Sequence, residues 1–288
     1  MTGGGVSVPL VSVVIPAYNS DKWIYDCLMS VIRQDYPNIE IIFVDDASKD
    51  RTKEFAVKIL NAQTAREHQI ISHAQNQGEC IASHDGFAAA SGKYICRLSS
   101  DDMYGGGGHI SEQVSIMEKS GADWCYNSCN TVLEMAAMKQ YEIDSFILPI
   151  PTRFFHKTFQ IFDNLILKHS FISFIIISIK NPVNSSTLMI RKESYVKLKG
   201  GWRSGKYRTD CDGLLILKMC LAGFRGCAVK DTGCIYRVHE NQGSNAADYQ
   251  KTIRDIRKEL YENVISGDYP VWLKAASKIL RRVKHGKN

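Results

Sequence analysis

The chain has 288 residues, of which 44% are hydrophobic, so it can form one large globular domain with or without a smaller appendage. Its formal net charge of +6 is modest. The basic residues are dispersed and no nucleic-acid-reading motif occurs, which argues against a nucleic-acid partner. The most hydrophobic stretch, 171–179, is too short to span a bilayer, and no signal peptide is recognisable.

The cysteines and the C-terminal residues bear on localisation. Nine cysteines, an odd number, are scattered along apolar runs, as expected of reduced thiols in a cytoplasmic protein. Cys125 and Cys129 lack a second Cys/His pair at zinc spacing, so a zinc site is not favoured. Basic residues near the C-terminus leave two interpretations open: a solvated helix end, or a peripheral contact with an anionic membrane surface. They are Lys274, Lys278, Arg281, Arg282, Lys284 and Lys287.

Strand and helix patterns alternate through the first half of the chain. Apolar runs predict strands at 10–15, 39–44, 68–72 and 94–98, and helical spacing predicts helices at 21–34, 49–60 and 79–90. This β-α-β order implies right-handed crossovers and a doubly wound parallel sheet, which is an α/β fold.

The second half of the chain is less regular. Strands are predicted near 123–129, 183–190 and 227–238, and helices near 110–119, 192–198, 211–222, 248–264 and 271–283. The segment 135–150 is poorly periodic, and we expect it to cross the acceptor side of the fold. The last two helices would form a C-terminal helical extension.

Polar and acidic residues follow three of the predicted strands. Residues 16–19, Asp45-Asp46 and Asp101-Asp102 each stand at a carboxyl end, which is the edge where such sheets bind ligands. Asp101 and Asp102 offer hard oxygen ligands that suit Mn²⁺ or Mg²⁺, ions that often complete their shell with substrate phosphates. The alternative for each acidic pair is a turn or the cap of the following helix.

Several short motifs occur in order along the first 105 residues. They are VSVVIPAYN (11–19), SVIRQ (30–34), EIIFVDDASKD (40–50), NQG (76–78), ASGKYI (90–95) and SDD (100–102). Each is weak alone, but the ordered run specifically resembles the opening of family-2 glycosyltransferases of the GT-A fold. The resemblance implies a GT-A-like, mostly parallel sheet flanked by helices.

The resemblance also implies a role for individual residues. Pro16 to Tyr18 and Asp46 would hold the nucleobase, Asp101 would contact the ribose or phosphate side, and Asp102 would bind the metal. The complete nucleotide-binding set expected on this basis is Pro16, Ala17, Tyr18, Asn19, Asp46, Asn76 and Asp101. Taken alone, Tyr18 is more readily explained as a packed aromatic residue.

The second half resembles the family more loosely. Asp212, with Lys218 six residues later, matches the family's catalytic base, usually the Asp of a Glu-Asp pair that opens a helix. His239 belongs to a Tyr-Arg-x-His element whose histidine can approach the metal, so the expected metal ligands are Asp102 and His239. Without the resemblance, Asp212 is better explained as a helix cap, and His239 fits a hydrogen-bonded structural histidine about equally well.

The sequence departs from the family pattern at several positions. Ser83-His84 stands where Arg-Asn is usual, Cys211 replaces the Glu of the Glu-Asp pair, and neither Ser99 nor Ser100 is the Asp that usually precedes the acidic pair. These changes affect the expected donor contacts. They motivate an alternative prediction, a nucleotide-sugar-binding protein that is impaired in catalysis.

The predicted function is metal-assisted, inverting transfer of a sugar from a nucleoside-diphosphate sugar, with UDP favoured, to an acceptor hydroxyl on a glycan, lipid-linked or other acceptor. Residues 1–105 would bind the nucleotide sugar, 106–240 would form the acceptor side of the same domain, and 241–288 the helical extension. A nucleotidyltransferase ranks third, because 16–19 contains no Gly-rich phosphate loop with Lys or Arg. A P-loop kinase is excluded by the lack of its motif.

Overall fold

The computed structural model describes residues 8–133, 169–179, 183–198, 211–240, 242 and 249–285. An eight-stranded sheet forms its centre. The strands are β1 Val11–Ala17, β2 Ile39–Asp45, β3 His68–Ser72, β4 Tyr94–Arg97, β5 Met103–Tyr104, β6 Trp124–Leu133, β7 Met189–Arg191 and β8 Gly226–Val238. The predicted excursion at 135–150 lies outside the described residues.

Helices cover the sheet or follow it in the chain. They are α1 Ile24–Ile32, α2 Thr52–Gln63, α3 Glu79–Ala89, α4 His109–Ser120, α5 Ser170–Ile179, α6 Lys192–Lys197, α7 Cys211–Leu221, α8 Tyr249–Ser266 and α9 Val271–His285. A 3₁₀ turn, Ser185–Thr187, precedes β7. Among the described residues, no helix combines the length and the apolar character needed to cross a bilayer.

The strand order is β3-β2-β1-β4-β7-β6-β8-β5. Strands β1 to β4 pair in parallel, β7 is antiparallel to both β4 and β6, β6 and β8 are parallel, and β5 is antiparallel to β8. This confirms the predicted α/β fold with a mostly parallel sheet. The carboxyl ends of β1, β2 and β4 meet at one edge, as the crossover rule requires.

The apolar runs form strands because both faces of the sheet are covered. Every residue of β1 is buried. Val13 and Ile15 pack with Leu28 of α1 in one core, and Val14 packs with Phe87 of α3 in the other. A strand buried on both faces reads as a continuous apolar run, which is why the first half was predictable.

Helix α3 packs directly onto β1 and β2. A Cβ atom on Gly86 would lie 2.3 Å from Cγ1 of Val14 and 3.1 Å from Cγ2 of Val44, so only glycine allows this approach. The helix begins at Glu79, directly after Gly78 with its φ of 93°. The close packing therefore holds the start of α3 against the ligand edge of the sheet.

The second half differs from the sequence-based expectation in two places. The predicted strand 183–190 is a 3₁₀ turn followed by β7, because the Asn184 side chain accepts a hydrogen bond from Ser186 N at 2.8 Å and closes a turn there. Strand β5, Met103–Tyr104, was not predicted. It pairs with β8 directly after the acidic residues, where the sequence suggested only a turn.

Among the cysteines whose side chains the structure describes, all but one follow the expected pattern. Seven of these are free thiols, and all of the seven except the partly exposed Cys129 are buried. Cys80, in the first turn of α3, is disulfide-bonded, so the expectation of reduced thiols is wrong at that position. Among the described residues, no group of three or more His, Cys, Asp or Glu side chains is arranged to hold a metal ion.

Candidate active site

A cavity of about 600 Å³ opens at the carboxyl edge of β1, β2 and β4. It is lined by Pro16, Ala17, Tyr18, Asn19, Ser20, Trp23, Asp46, Asn76, Gly78, Glu79, Ala82, Arg97, Ser99, Ser100, Asp101 and His239. All seven residues assigned to the nucleotide by the sequence analysis are in this set, and so is His239. The cavity therefore collects residues from five separate stretches of the chain.

Asp46 is buried at one wall of the cavity and fastens the neighbouring loop. Its Oδ1 lies 2.7 Å from His73 Nδ1 and accepts a hydrogen bond from Gln77 N at 2.8 Å, while its Oδ2 accepts one from Gly78 N at 2.8 Å. Asp46 does not cap the following helix: α2 has Arg51 at its N-cap with no side-chain cap hydrogen bond, and Asp50 accepts a hydrogen bond from Thr52 N at 3.0 Å. Asp46 instead holds in place the part of the cavity wall that contains Asn76 and Gly78.

Two non-glycine residues at the strand ends have left-handed backbone conformations. Asn19 has φ 51° and Ala47 has φ 60°. Asn19 Oδ1 accepts a hydrogen bond from Lys49 N at 2.8 Å, and Asn19 N donates one to Ser48 Oγ at 3.1 Å. These bonds join the loops after β1 and β2, and non-glycine residues in this conformation are typical of ligand sites.

Aromatic rings form a second wall. Tyr18 is 42% exposed at the cavity, whereas Trp23 and His239 are buried and stack with their ring centroids 4.0 Å apart. From the sequence, Trp23 belonged to the predicted helix 21–34 and had no role of its own. In the structure it is the N-cap residue of α1 and lines the cavity.

Asp101 and His239 face the cavity together. Oδ2 of Asp101 lies 3.1 Å from Nε2 of His239, and the Asp101 side chain is about one-quarter exposed. A carboxylate and an imidazole are both ligands for Mn²⁺, and an ion held by few protein atoms commonly completes its shell with phosphates and water. The pair fits a divalent cation of that kind.

Asp102 has different surroundings from its neighbour. It is buried, Ser186 Oγ donates to its Oδ2 at 2.5 Å, and Arg237 N donates to its Oδ1 at 3.0 Å. Burial, together with the charge of Asp101, raises the pKa of the Asp102 carboxyl to about 7. Asp102 is not among the residues that line the cavity. The sequence-based assignment of the metal to Asp102 therefore stays a prediction, and Asp101 and His239 are the carboxylate and imidazole that line the cavity.

Arg237 connects the acidic turn to its neighbours. Its Nη1 donates to the Asp101 carbonyl oxygen at 3.1 Å, and its Nη2 donates to Asp26 Oδ2 on α1 at 2.8 Å. Because the backbone N–H of Arg237 also donates to Asp102, this one residue of β8 binds both aspartates. The Tyr-Arg-x-His element thus supplies a structural arginine and a cavity-facing His239.

Asp212 lies in the first turn of α7, Cys211–Leu221, as expected from the sequence. Its side chain lies outside the described part of the structure. Lys218, one and a half turns later in α7, is half-buried, and burial lowers the pKa of its amine. The assignment of Asp212 as the base thus stays a prediction.

The curated relatives of the chain are named as glycosyltransferases. An uncharacterised glycosyltransferase of Haemophilus influenzae is 28% identical over 275 residues, which cover 91% of this chain and 77% of that protein. The glycosyltransferase GlyG of Streptococcus pneumoniae is 38% identical over 96 residues, which cover 33% of this chain and 31% of GlyG.

Solved structures share the architecture. Residues 1–349 of Staphylococcus aureus TarS match 96% of this chain and 71% of that chain, with a TM-score of 0.68 and 17% identity. The mannosyltransferase PcManGT of Pyrobaculum calidifontis, solved with GDP-Man and Mn²⁺, matches 96% of this chain and 70% of that one, with a TM-score of 0.61 and 15% identity. At these identities the matches establish the fold, which is GT-A.

The family model named "Glycosyl transferase family 2" matches residues 12–175. This is more than half of the chain, and it includes the motifs at the strand ends that build the cavity. The chain therefore belongs to glycosyl transferase family 2 and is a glycosyltransferase.

Proposed function

We propose that the protein transfers a sugar from a nucleoside-diphosphate sugar to an acceptor hydroxyl, with inversion at the anomeric carbon. The observation that carries the proposal is the cavity at the carboxyl edge of the sheet, where the Asp46 wall and the Asp101–His239 pair face a common space. Open α/β sheets bind their ligands at this edge.

The nucleotide would occupy the side of the cavity formed by β1 and β2. Tyr18 offers an exposed ring face on which a base can stack. Asp46 Oδ2 accepts one hydrogen bond, from Gly78 N, and so has capacity for a base N–H. Residues 1–105 would thus form the donor half and 106–240 the acceptor half of one domain, with 241–288 as an extension.

The diphosphate would lie on the side of Asp101 and His239. These two residues would hold Mn²⁺ or Mg²⁺, and the ion would supply positive charge against the negative charge that grows on the departing diphosphate. The backbone N–H of Asp102 donates to the Ser99 carbonyl oxygen at 3.0 Å and closes a turn. Through this turn Asp102 would hold Asp101 in position.

Asp212 would remove the proton from the acceptor hydroxyl as that oxygen attacks the anomeric carbon from the face opposite the diphosphate. The bond from the anomeric carbon to the attacking oxygen forms while the bond to the diphosphate oxygen breaks. The transition state would resemble an oxocarbenium ion, as in glycoside hydrolysis. A base at the first turn of α7 is consistent with the backbone position of Asp212.

We favour UDP as the carrier of the sugar. TarS, which shares the fold, has been solved with UDP and with UDP-GlcNAc, whereas PcManGT has been solved with GDP-Man. The acceptor would be a hydroxyl on a glycan, a lipid-linked saccharide or another molecule.

A thermal-shift screen tests the donor proposal. UDP and GDP sugars, each with and without Mn²⁺, are added at about one hundred times their dissociation constants, where a ligand specific for the folded state stabilises it by about 2.7 kcal/mol. The expected result is a rise in Tm of roughly 5 °C with one carrier base in the presence of Mn²⁺. If no nucleotide sugar shifts Tm under any condition, the proposed function is wrong.

The alternative is a protein that binds nucleotide sugars without transferring them. Ser83, His84 and Cys211, which replace usual family residues, favour this alternative. Release of UDP or GDP from the bound donor, measured with Mn²⁺ and a panel of acceptors, separates the two. Binding without any release, with or without acceptor, would support the alternative.

We also propose that α9 contacts an anionic membrane surface. Its exposed side chains include Val271, Trp272 and Ile279, together with Lys278 and Arg282, and the helix contains no acidic residue. Apolar anchors beside basic residues suit an interface that carries anionic lipid headgroups.

Vesicle sedimentation tests this contact. The protein should bind vesicles that contain phosphatidylserine and leave pure phosphatidylcholine vesicles unbound. Changing Lys278 and Arg282 together to Gln should weaken binding roughly tenfold or more, because each basic residue near the surface contributes about 1 kcal/mol. The matched control changes two other exposed lysines, Lys53 and Lys119, to Gln. Equal binding by all three proteins would contradict the proposal.

A further inference from the structure

A buried arginine lies beneath the candidate active site. Arg97 is the last residue of β4, and only 1% of its surface is exposed, yet it is among the residues that line the cavity. The sequence analysis gave it no role. A buried guanidinium is costly unless its N–H groups and its charge are matched by nearby partners, so its surroundings indicate what it does.

The partners of Arg97 come from three separate parts of the fold. On α3, Nε donates to Ser83 Oγ at 3.3 Å, and Nη2 forms an ion pair with Glu79. Nη1 donates to Ser99 Oγ in the acidic turn at 3.0 Å and to Ser185 Oγ in the 3₁₀ turn at 2.5 Å. One side chain therefore joins the start of α3 to the turn that carries the acidic pair.

The connection continues to the carboxylates. Ser186, next to Ser185, donates its hydroxyl to Asp102 and accepts a hydrogen bond from Ser99 N at 3.1 Å. Arg97 thus binds Ser99 directly at one end of the segment 99–102, which positions Asp101 at the cavity. It is connected to Asp102 at the other end through Ser185 and Ser186. Its charge also lies close enough to Asp102 to favour the ionised carboxylate.

The ion pair between Arg97 and Glu79 affects the net charge at the cavity. Its side chain is 44% exposed and lines the cavity, so its carboxylate faces the space assigned to the donor. Paired with Arg97, it adds little net charge there. Without the arginine, Glu79 and Asp101 would both present negative charge to a diphosphate.

We propose that Arg97 is a positioning residue that sets the affinity of the site for the diphosphate portion of the donor. It does so by fixing the Ser99–Asp102 turn and by neutralising Glu79. Ser83 and Ser99, two positions where the sequence departs from the family pattern, meet on this one guanidinium, which gives both departures a common structural role. The inference rests on the proposed function.

The test compares UDP with uridine, which lacks the diphosphate, by calorimetry and competition NMR in the presence of Mn²⁺. In Arg97→Gln, the affinity for UDP should fall about tenfold or more, since the substitution removes the cation that pairs with Glu79 and leaves this carboxylate facing the diphosphate. The affinity for uridine should stay within about twofold of the parent's, because the contacts described for Arg97 lie on α3, in the acidic turn and in the 3₁₀ turn, whereas Tyr18 and Asp46 would hold the base. Arg97→Lys should retain part of the UDP affinity.

Two further variants keep the result interpretable. Arg66→Gln removes another partly buried arginine, whose Nη2 donates to the Gln34 carbonyl oxygen away from the cavity, and it should leave the ratio of UDP to uridine affinity unchanged. Arg97→Gln combined with Ser83→Arg supplies a guanidinium from α3 and should recover UDP affinity.

Each outcome is decisive. If the parent protein binds no nucleoside diphosphate, the proposed function fails and this inference fails with it. If the parent binds UDP and Arg97→Gln binds it equally well, or loses UDP and uridine affinity by the same factor, the inference alone is wrong. A folded double variant with no recovery would also overturn it.

Discussion

Changing Asp101 to Asn is expected to weaken Mn²⁺ binding in the presence of UDP by more than about a hundredfold, since even outer-shell partners of metal ligands typically contribute 10–100-fold. Asp101 is the carboxylate that faces the cavity beside His239. The substitution keeps the shape of the side chain and removes its charge. Titration of free Mn²⁺ by electron paramagnetic resonance measures the effect directly.

Asp102→Asn is the matched control for this experiment. The amide side chain would retain one oxygen to accept the hydrogen bond from Arg237 N, and the buried position loses a charge that is costly to hold there. We expect Mn²⁺ binding to be largely retained. The opposite result, with Mn²⁺ binding intact in Asp101→Asn and lost in Asp102→Asn, would restore the sequence-based assignment of the metal to Asp102.

Changing Asp212 to Asn is expected to lower kcat by roughly 10²–10⁴, the usual contribution of a positioned general base. The affinity for the donor should be unchanged, because the proposed base acts on the acceptor hydroxyl. Single-turnover kinetics at saturating donor separate this loss of chemistry from a loss of binding.

The nearby Asp210 provides the comparison for the base. The resemblance to the family assigns the base to Asp212, two residues later in the sequence, so Asp210→Asn should retain near-parental kcat. Loss of turnover in Asp210→Asn, with Asp212→Asn active, would transfer the role to Asp210. Full activity in both variants would contradict a mechanism in which one of these aspartates is the general base.

The donor side of the site was largely predictable from the sequence. The strands β1, β2 and β4 are continuous apolar runs, and parallel crossovers bring their carboxyl ends to one edge. The residues that follow those runs, Pro16–Asn19, Asp46 and Asp101, accordingly line one cavity. The pattern of apolar runs was sufficient for this prediction because the β-α-β order that it predicts brings the strand ends to one edge of the sheet.

The different surroundings of Asp101 and Asp102 were not predictable. Asp102 accepts hydrogen bonds from Ser186, 84 residues away, and from Arg237, 135 residues away. No spacing within the Asp101-Asp102 dipeptide carries that information. The likeness to the family suggested which elements meet, but the side-chain partners depend on how β7 and β8 return to the sheet.

Arg97 and Trp23 were missed for different reasons. A charged residue that ends an otherwise apolar strand is unusual, so Arg97 did carry a signal, which the strand prediction ignored. Trp23 carried none, since an aromatic residue at helical spacing is most often part of a core. Its contact with His239 joins residues that are more than two hundred positions apart in the sequence.

The tight approach of α3 to the sheet has a consequence for changing donor preference. Because no atom fits between Gly86 and Val14, a methyl group at position 86 would push the helix outward. The displacement would carry Gly78 and Glu79, which line the cavity, and so change the width of the cavity. Gly86 is not among the lining residues, so a substitution there would reshape the site without replacing any residue that lines it.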